Sequence, residues 1–341
     1  MNVHRNRDPF HRTKVPAYVY APVLFTGGVM VYCYYSCLDE APFTKRKRLI
    51  ATSPEMEIKM GDDQYKELLK QYKGSILPKD HRASITVQRV GSRVAAAAQK
   101  FGKKYNAPSV LLSSPPTYTV VRSDIPNAFV LPNNHIFVLT GLFQYVKDED
   151  ELAAELSHEM AHNLARHAGE KVSSTILIQI MARVLLMIDP SGVLFYLFMP
   201  AASLLHELPN SREAEIEADH IGLYLASEAC YEPNASIRVF SAMKHGSKHA
   251  TSQPTKKSSS ASNTMEPPEF ISTHPSYDSR LSNFHKWMPD ALELYNMDDG
   301  LKCRHLRHEM SLERKKASQL AWEKEIRSSK RIEAGASSQF K

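Results

Sequence analysis

The chain has 341 residues, 43% of them hydrophobic and 23% charged, a composition close to that of folded proteins, which excludes a chain disordered throughout. Its length suits one large domain or two small ones. Four cysteines without a Cys-x-x-Cys pair exclude a disulfide scaffold, and we expect reduced thiols. The formal net charge of +6 is concentrated in residues 301–341, predicted to be a basic, solvated C-terminal helix or tail, with contact to anionic lipid as the alternative. Basic residues placed in a tail do not favour nucleic-acid binding, so we expect no nucleic-acid partner.

A basic segment at residues 1–15 precedes an uncharged, largely apolar run within residues 16–38. The run is long enough for a helix to cross a bilayer hydrocarbon core of about 30 Å, and its tyrosines lie toward both ends, as at membrane interfaces. We therefore predict a transmembrane anchor, with a cleaved targeting segment or a buried helix as the alternatives. Lys and Arg are balanced on the two sides, so the charges do not predict the orientation.

Beyond the anchor, the apolar periodicity predicts amphipathic helices at Asp62–Tyr72 and Ser84–Phe101. The period then changes, and the β-branched and aromatic run Thr117–Arg122 predicts a strand. Two short apolar runs, Ala128–Leu131 and His135–Leu139, flank an Asn-rich turn and are predicted to form a hairpin.

A further helix is predicted to begin near Asp148 or Asp150, both suitable N-caps, and to end at Gly169. Polar residues, Gly and Pro interrupt the apolar stretch 176–205, which predicts a buried helical hairpin, with a membrane-dipping segment as the alternative. Helix is expected again from Glu213 to Ala229. Residues 244–268 are rich in Ser, Thr, Lys and Pro and are predicted to be a disordered surface insertion.

The most specific chemical pattern is H-E-x-x-H on a predicted helix, formed by His158, Glu159 and His162. A spacing of four places both imidazoles on one helix face, one turn apart, where they can share a metal ion. Zinc binds neutral His nitrogens and keeps one coordination position open in catalytic sites, and it lowers the pKa of its bound water toward about 7. Glu159 can accept the proton of that water during attack on a peptide carbonyl. We therefore predict one Zn²⁺ per chain and peptide hydrolysis.

A catalytic zinc site needs a third protein ligand, and an acidic cluster follows later in the chain. Glu215 and Asp219 are one turn apart on one helix face, so one can ligate zinc while the other hydrogen-bonds a ligand His. Glu213 and Glu217 fall on other faces and are expected to be solvated.

His167 is a competing candidate for the third ligand. It lies five residues beyond His162, and on a continuous helix that step turns it about 500° and away from the metal. The metzincin spacing is also absent. We therefore expect His167 to be a helix-end residue.

These motifs resemble those of the gluzincin peptidases, which include HtpX and the CAAX prenyl endopeptidases. Four blocks of the chain are more closely similar to the mitochondrial inner-membrane Oma-type metalloendopeptidases; they are residues 127–142, 155–167, 211–222 and 272–280. The resemblance implies a membrane-anchored, zincin-type metallopeptidase domain over residues 39–300. The implied fold class is mainly α with a small β-sheet (α+β), with the H-E-x-x-H motif on the active-site helix.

By that resemblance the metal has three protein ligands, which are His158, His162 and Glu215. Glu159 is then the general base, and Asp219 orients one of the ligands. Arg212 and His274 would lie close to the site. His274 is a candidate catalytic residue that stabilises the tetrahedral oxyanion, and a turn residue before a proline is the alternative interpretation.

The resemblance also implies the function, a zinc-dependent endopeptidase that cleaves proteins in or at the membrane. Its role would be inner-membrane quality control in mitochondria and stress-triggered processing of a dynamin-like fusion GTPase. The catalytic domain would face the intermembrane space, with the bilayer and a second copy in a homo-oligomer as further partners.

Two alternatives stay open at this point. A CAAX-type prenyl-protein endopeptidase of the endoplasmic reticulum membrane would need more spanning helices, and an inactive membrane-anchored scaffold does not require the intact Glu159. The run Ile136, Phe137 and Val138 is a candidate sheet edge for pairing with an extended substrate, and a purely structural strand is the other interpretation.

Overall fold

The fold is known from a computed structural model, which describes residues 17–41, 43–106, 115–252, 277–297 and 301–316. The helices are α1 (Ala17–Ser36), α2 (Pro54–Gln71), α3 (Arg82–Lys104), α4 (Glu149–Leu164), α5 (His167–Ile188), α6 (Val193–Glu228), α7 (Asn234–Ser252), α8 (Tyr277–Tyr295) and α9 (residues 301–316). The strands are β1 (Leu38–Glu40), β2 (Lys47–Leu49), β3 (Thr117–Val121), β4 (Ala128–Val130) and β5 (His135–Leu139). The predicted fold class, mainly α with a small β-sheet, is confirmed.

Helix α1 falls inside the predicted anchor and ends at Ser36. The side chains of Phe25 and Tyr32 are 75% and 73% exposed, which does not fit the alternative of a buried helix. Transmembrane insertion stays a prediction. Immediately after α1, strands β1 and β2 pair antiparallel and form a small hairpin, with Leu38 opposite Leu49.

The main sheet has three strands in the order β3-β5-β4. Strands β4 and β5 form the predicted antiparallel hairpin, and Asn134 at its turn has φ 65°, which Asn tolerates better than most residues. Strand β3 pairs with β5 in parallel. The prediction that Ile136, Phe137 and Val138 form a sheet edge is therefore wrong, because β5 is the central strand and β3 closes its other side.

The hydrophobic core lies between this sheet and helices α3, α4 and α6. Helix α3 contributes Val87, Val90 and Val94, which recur at three- and four-residue steps and are fully buried. Almost every residue of α4 is buried as well. The polar side chains of α4 therefore lie in the interior, where they need partners.

The apolar stretch 176–205 forms the helical hairpin of α5 and the start of α6, joined by a turn in which Gly192 has φ 78°. The prediction that it is buried is wrong, since Met187 is 82% and Tyr196 is 80% exposed. Apolar composition does not distinguish a helix covered by protein from one covered by lipid. Among the described residues, one helix, α5, has the length and composition to cross a membrane.

Several helices are longer than the sequence predicted. Helix α2 begins at Pro54, where Ser53 caps it through a bond from the backbone N–H of Met56, and α6 begins at Val193. Helix α7 continues to Ser252 and so occupies the first part of the segment predicted to be disordered. Residues 253–268 lie outside the described residues.

The expectations for the cysteines and for the C-terminal segment are corrected together. Cys230 and Cys303 form a disulfide, which ties α9 to the end of α6. Helix α9 is also docked rather than solvated, because Met310 is buried and Arg307 donates to Asp150 at 2.7 Å. The acidic partners lie far away in the sequence, so charge counting alone could not place this basic helix on the domain.

Candidate metal centre and active site

Helix α4 presents the H-E-x-x-H motif inside the domain. The side chain of Asp148 caps the helix by accepting from the backbone N–H of Glu151 at 2.8 Å, and three acidic residues in the first turn favour the positive end of the helix dipole. The Nε2 atoms of His158 and His162 approach to 3.1 Å. The Nε2 atoms of both imidazoles therefore converge, as binding to one metal ion requires.

Glu215 on α6 completes a group of three potential metal ligands. Its Oε2 lies 3.5 Å from Nε2 of His158, and its other oxygen, Oε1, lies 3.4 Å from Nε2 of His162. A tetrahedral ion with bonds of about 2.0–2.1 Å separates its ligand atoms by about 3.3 Å. The two imidazole nitrogens, and each of them with its nearer Glu215 oxygen, are close to that separation, and one atom from each residue lies within 4.8 Å of the other two, so the three residues can hold a small metal ion.

Glu159 lies next to this group and is buried. Its Oε2 accepts a hydrogen bond of 3.1 Å from the backbone N–H of Val130 on strand β4. Burial raises the pKa of Glu159 to about 8, and the neighbouring carboxylates Glu155 and Glu215 add to this effect. A bound divalent cation would oppose the shift, since positive charge favours the carboxylate.

Asp219 and Arg280 support His158 from behind. The Asp219 Oδ1 lies 3.0 Å from Nδ1 of His158, and the Arg280 guanidinium donates two bonds of 2.7 Å to the same carboxylate. Burial alone would raise the pKa of Asp219, but Arg280 and His158 outweigh it and lower the pKa. Arg280 is itself 1% exposed and stacks 4.2 Å from the Phe240 ring centroid.

The structure also places the remaining predicted site residues. Arg212 is exposed, and its proximity to the site stays a prediction. The guanidinium of Arg280 contacts the site through Asp219. Sequence reasoning assigned no role to Arg280, although it ends the fourth block of the family resemblance. His274 lies outside the described residues.

Two expectations near the motif are wrong. Helix α4 ends at Leu164 rather than at Gly169, because Arg166 adopts a left-handed conformation with φ 55°. The resulting bend brings the His167 ring to His162, with centroids 4.9 Å apart. Glu217 is buried and contacts His167, whereas a solvated side chain was expected.

Comparisons with known proteins agree with this site. Residues 85–288 match peptidase family M48. The chain is 33% identical over 290 residues to the mitochondrial metalloendopeptidase OMA1 of Schizosaccharomyces pombe, covering 85% of this chain and 77% of that protein. With the OMA1 of Saccharomyces cerevisiae it shares 32% identity over 286 residues, 82% of this chain and 77% of that protein. With the mitochondrial metalloendopeptidase OMA1 of Homo sapiens it shares 30% over 280 residues, 80% of this chain and 50% of that protein.

The matched segment of the family contains both motifs of the metal centre and the supporting Arg280. The predicted resemblance and the assignment as a protease are therefore confirmed, and the relatives support a mitochondrial location. A fit to a metal ion also agrees with a metal-dependent hydrolase whose substrates are proteins. The chain belongs to peptidase family M48 and is a metalloendopeptidase of the Oma type.

Proposed function

We propose that the chain is a zinc endopeptidase of the mitochondrial inner membrane that cuts membrane-associated proteins on the intermembrane-space side. The observation that carries the proposal is the cluster of His158, His162 and Glu215, in which one potential ligand atom from each residue lies within 4.8 Å of the other two. Two imidazoles and one carboxylate in tetrahedral arrangement suit zinc, whereas calcium and magnesium prefer six or more oxygen ligands. Three protein ligands with an open position are typical of catalytic rather than structural zinc.

Zinc, when bound, supplies Lewis acidity and a nucleophilic water at neutral pH. The protein supplies the base. Glu159 accepts a proton from the attacking water and returns it to the leaving amine, and its burial keeps the proton from exchanging freely with solvent. The bond from the N–H of Val130 fixes the orientation of the carboxylate.

Strand β4, and not β5, lies at an edge of the sheet, and β4 is therefore the candidate for pairing with an extended substrate. The backbone N–H of Leu131 donates to His135 and the carbonyl of Asn127 accepts from Leu139, so the odd-numbered residues of this segment face β5. The even-numbered residues Ala128 and Val130 then turn their backbone groups away from β5, and the N–H of Val130 reaches Glu159. An extended peptide pairing with this edge would bring a backbone carbonyl next to the base with little sequence preference.

The placement of the apolar helices supports the proposal that the substrates lie at a membrane surface. Cys37, directly after α1, accepts from the N–H of Ile50, and the next residue, Ala51, donates to the Ser173 hydroxyl on α5 at 2.7 Å. The end of α1 and the early part of α5 are therefore linked through residues 50 and 51, which supports the proposal that one bilayer receives both α1 and the exposed α5–α6 hairpin. The resemblance in sequence extends the proposal to a dynamin-like fusion GTPase as a substrate.

The test uses the full chain in liposomes with a reporter that carries the juxtamembrane segment of such a GTPase. The matched control is the same segment without its membrane tether. We expect cleavage of the tethered reporter to stop on chelation and to return with zinc but not with magnesium. Cleavage that survives chelation would refute the metal mechanism, and equal cleavage of both reporters would refute the preference for membrane-associated substrates.

A further inference from the structure

We propose that His167 and Glu217 form a positioning relay that holds the metal ligand His162, and that the hairpin following the membrane anchor completes this relay through Arg46 and Thr44. The inference rests on the proposed metal site and adds residues to which neither motif assigns a role. It makes the segment next to the membrane part of the metal centre.

The relay is continuous in the structure. Nδ1 of His167 lies 2.8 Å from Nδ1 of His162, and Nε2 of His167 lies 3.2 Å from Oε2 of Glu217. The side chains of His167 and Glu217 are only 7% and 2% exposed. Buried polar groups at such distances are ordered by their hydrogen bonds, because losing one leaves an unsatisfied group in a low-dielectric interior.

Hydrogen-bond chemistry gives the relay one consistent direction. A histidine that binds metal through Nε2 carries its proton on Nδ1, and the partner of that N–H fixes the ring orientation. His162 then donates to Nδ1 of His167, which must be the unprotonated nitrogen. The proton of His167 is therefore on Nε2, where it is donated to the Glu217 carboxylate.

The post-anchor hairpin holds that carboxylate in place. Arg46 donates to Glu217 Oε2 from its Nε at 3.1 Å and from its Nη2 at 2.8 Å, and the Thr44 hydroxyl donates to the other oxygen. Arg46 is fixed in turn by two bonds to Glu170, at 2.8 and 2.6 Å.

The two ligand histidines thus receive the same kind of support by different routes. Behind His158, the carboxylate of Asp219 is held directly by the buried Arg280. Behind His162, the ring of His167 lies between the ligand and the supporting carboxylate. That carboxylate belongs to Glu217, and the guanidinium that holds it belongs to Arg46. Arg46 and Thr44 lie between β1 and β2. A displacement of the post-anchor hairpin would therefore shift Glu217 and His167 and change the position of the His162 ring.

The experiment measures zinc affinity by chelator competition on the full chain purified in detergent, together with the visible spectrum of the Co²⁺-substituted protein. The variants are His167→Gln, which keeps a donor toward Glu217 but loses the acceptor at Nδ1, and His167→Asn, whose amide oxygen can replace that acceptor. The matched controls are His305→Gln and Glu309→Gln, taken from an exposed His–Glu pair on α9.

We expect His167→Gln to weaken zinc binding by about 10- to 100-fold, with a changed Co²⁺ spectrum. His167→Asn should recover most of the affinity, and the controls should match the wild type. Thr44→Val, a milder change that spares the rings, should weaken binding less than His167→Gln but measurably. Each variant is compared only after its metal-free form shows wild-type helical content.

The outcomes separate the relay from the proposed function. A wild type that does not bind zinc would overturn the metal site itself. If the wild type binds zinc and the variants bind zinc with unchanged affinity, the relay is overturned but the metal site is not. Equal losses in His167→Asn and His167→Gln would also overturn it, because they would show that the site needs the volume of the ring and not its acceptor nitrogen.

Discussion

Gly222 sets the spacing between the two helices that carry the metal ligands. A Cβ at this position would lie 3.0 Å from both the Cα and the N of His158, and 3.2 Å from the carbonyl carbon of Ser157. These are backbone atoms and cannot rotate away, so Gly222→Ala must move α6 from α4 by a few tenths of an ångström. Metal sites tolerate ligand distances within about 0.2 Å, so Glu215 would be pulled out of place.

The expected magnitude follows from two opposing terms. Replacing a mid-helix Gly by Ala favours the helix by about 1 kcal/mol, whereas overpacking a buried contact costs about 1–3 kcal/mol. The metal-free form of Gly222→Ala should therefore be less stable by only about 0–2 kcal/mol. Zinc affinity should nevertheless fall by about tenfold or more, because positioning the ligands tolerates less displacement than packing does.

The assay combines urea unfolding of the metal-free full chain with chelator competition for zinc. Gly27→Ala is the matched control, since a Cβ at that helical glycine meets nothing within 4 Å, and it should leave zinc affinity unchanged. If Gly222→Ala bound zinc within about twofold of the wild type, the close approach of α6 to α4 would not govern the site.

Three further predictions concern the surroundings of the site. Arg280→Met removes the buried cation that pairs with the Asp219 carboxylate and should destabilise the fold by about 3–5 kcal/mol, measured by denaturant unfolding; an unchanged midpoint would refute the bidentate pair. Cys303→Ser opens a disulfide that closes a 73-residue separation and should lower stability by about 4 kcal/mol on the chain-entropy estimate, detected as a lower unfolding midpoint than that of the oxidised wild type. Met187→Glu combined with Tyr196→Glu should reduce flotation of the chain with liposomes when α1 is removed, and undiminished flotation would show that the hairpin does not enter the bilayer.

Local periodicity predicted the centre of the site. The four-residue spacing of His158 and His162, and that of Glu215 and Asp219, specify shared helix faces wherever a helix forms, and the structure brings three of these four side chains into one group. The Asn-rich turn likewise specified the β4–β5 hairpin.

Features that depend on long-range contacts could not be predicted in this way. Strand β3 lies upstream of the β4–β5 hairpin in the chain and pairs with the second side of β5, a long-range contact that local periodicity does not predict. The bend at Arg166 is stabilised by bonds to Glu57 and to the carbonyl of Thr52. The sequence pattern predicts an unbroken helix through this position, so it does not predict the approach of His167 to the site.

Exposure of the apolar hairpin was missed for a different reason. A run of apolar residues is compatible with burial in a protein core or in lipid, and the two environments select similar compositions. Only the placement of α5 and α6 relative to the domain distinguishes them, and that placement leaves Met187 and Tyr196 uncovered.

The most direct test of the account compares the wild type with Glu159→Gln in one experiment that records both metal content and cleavage of the tethered reporter. The amide keeps the volume of the side chain and an acceptor for the N–H of Val130, but it cannot take up a proton from water. We expect Glu159→Gln to bind zinc as the wild type does and to lose at least about 10²-fold in cleavage rate. Cleavage at the wild-type rate by zinc-loaded Glu159→Gln would show that Glu159 is not the base and would contradict the mechanism.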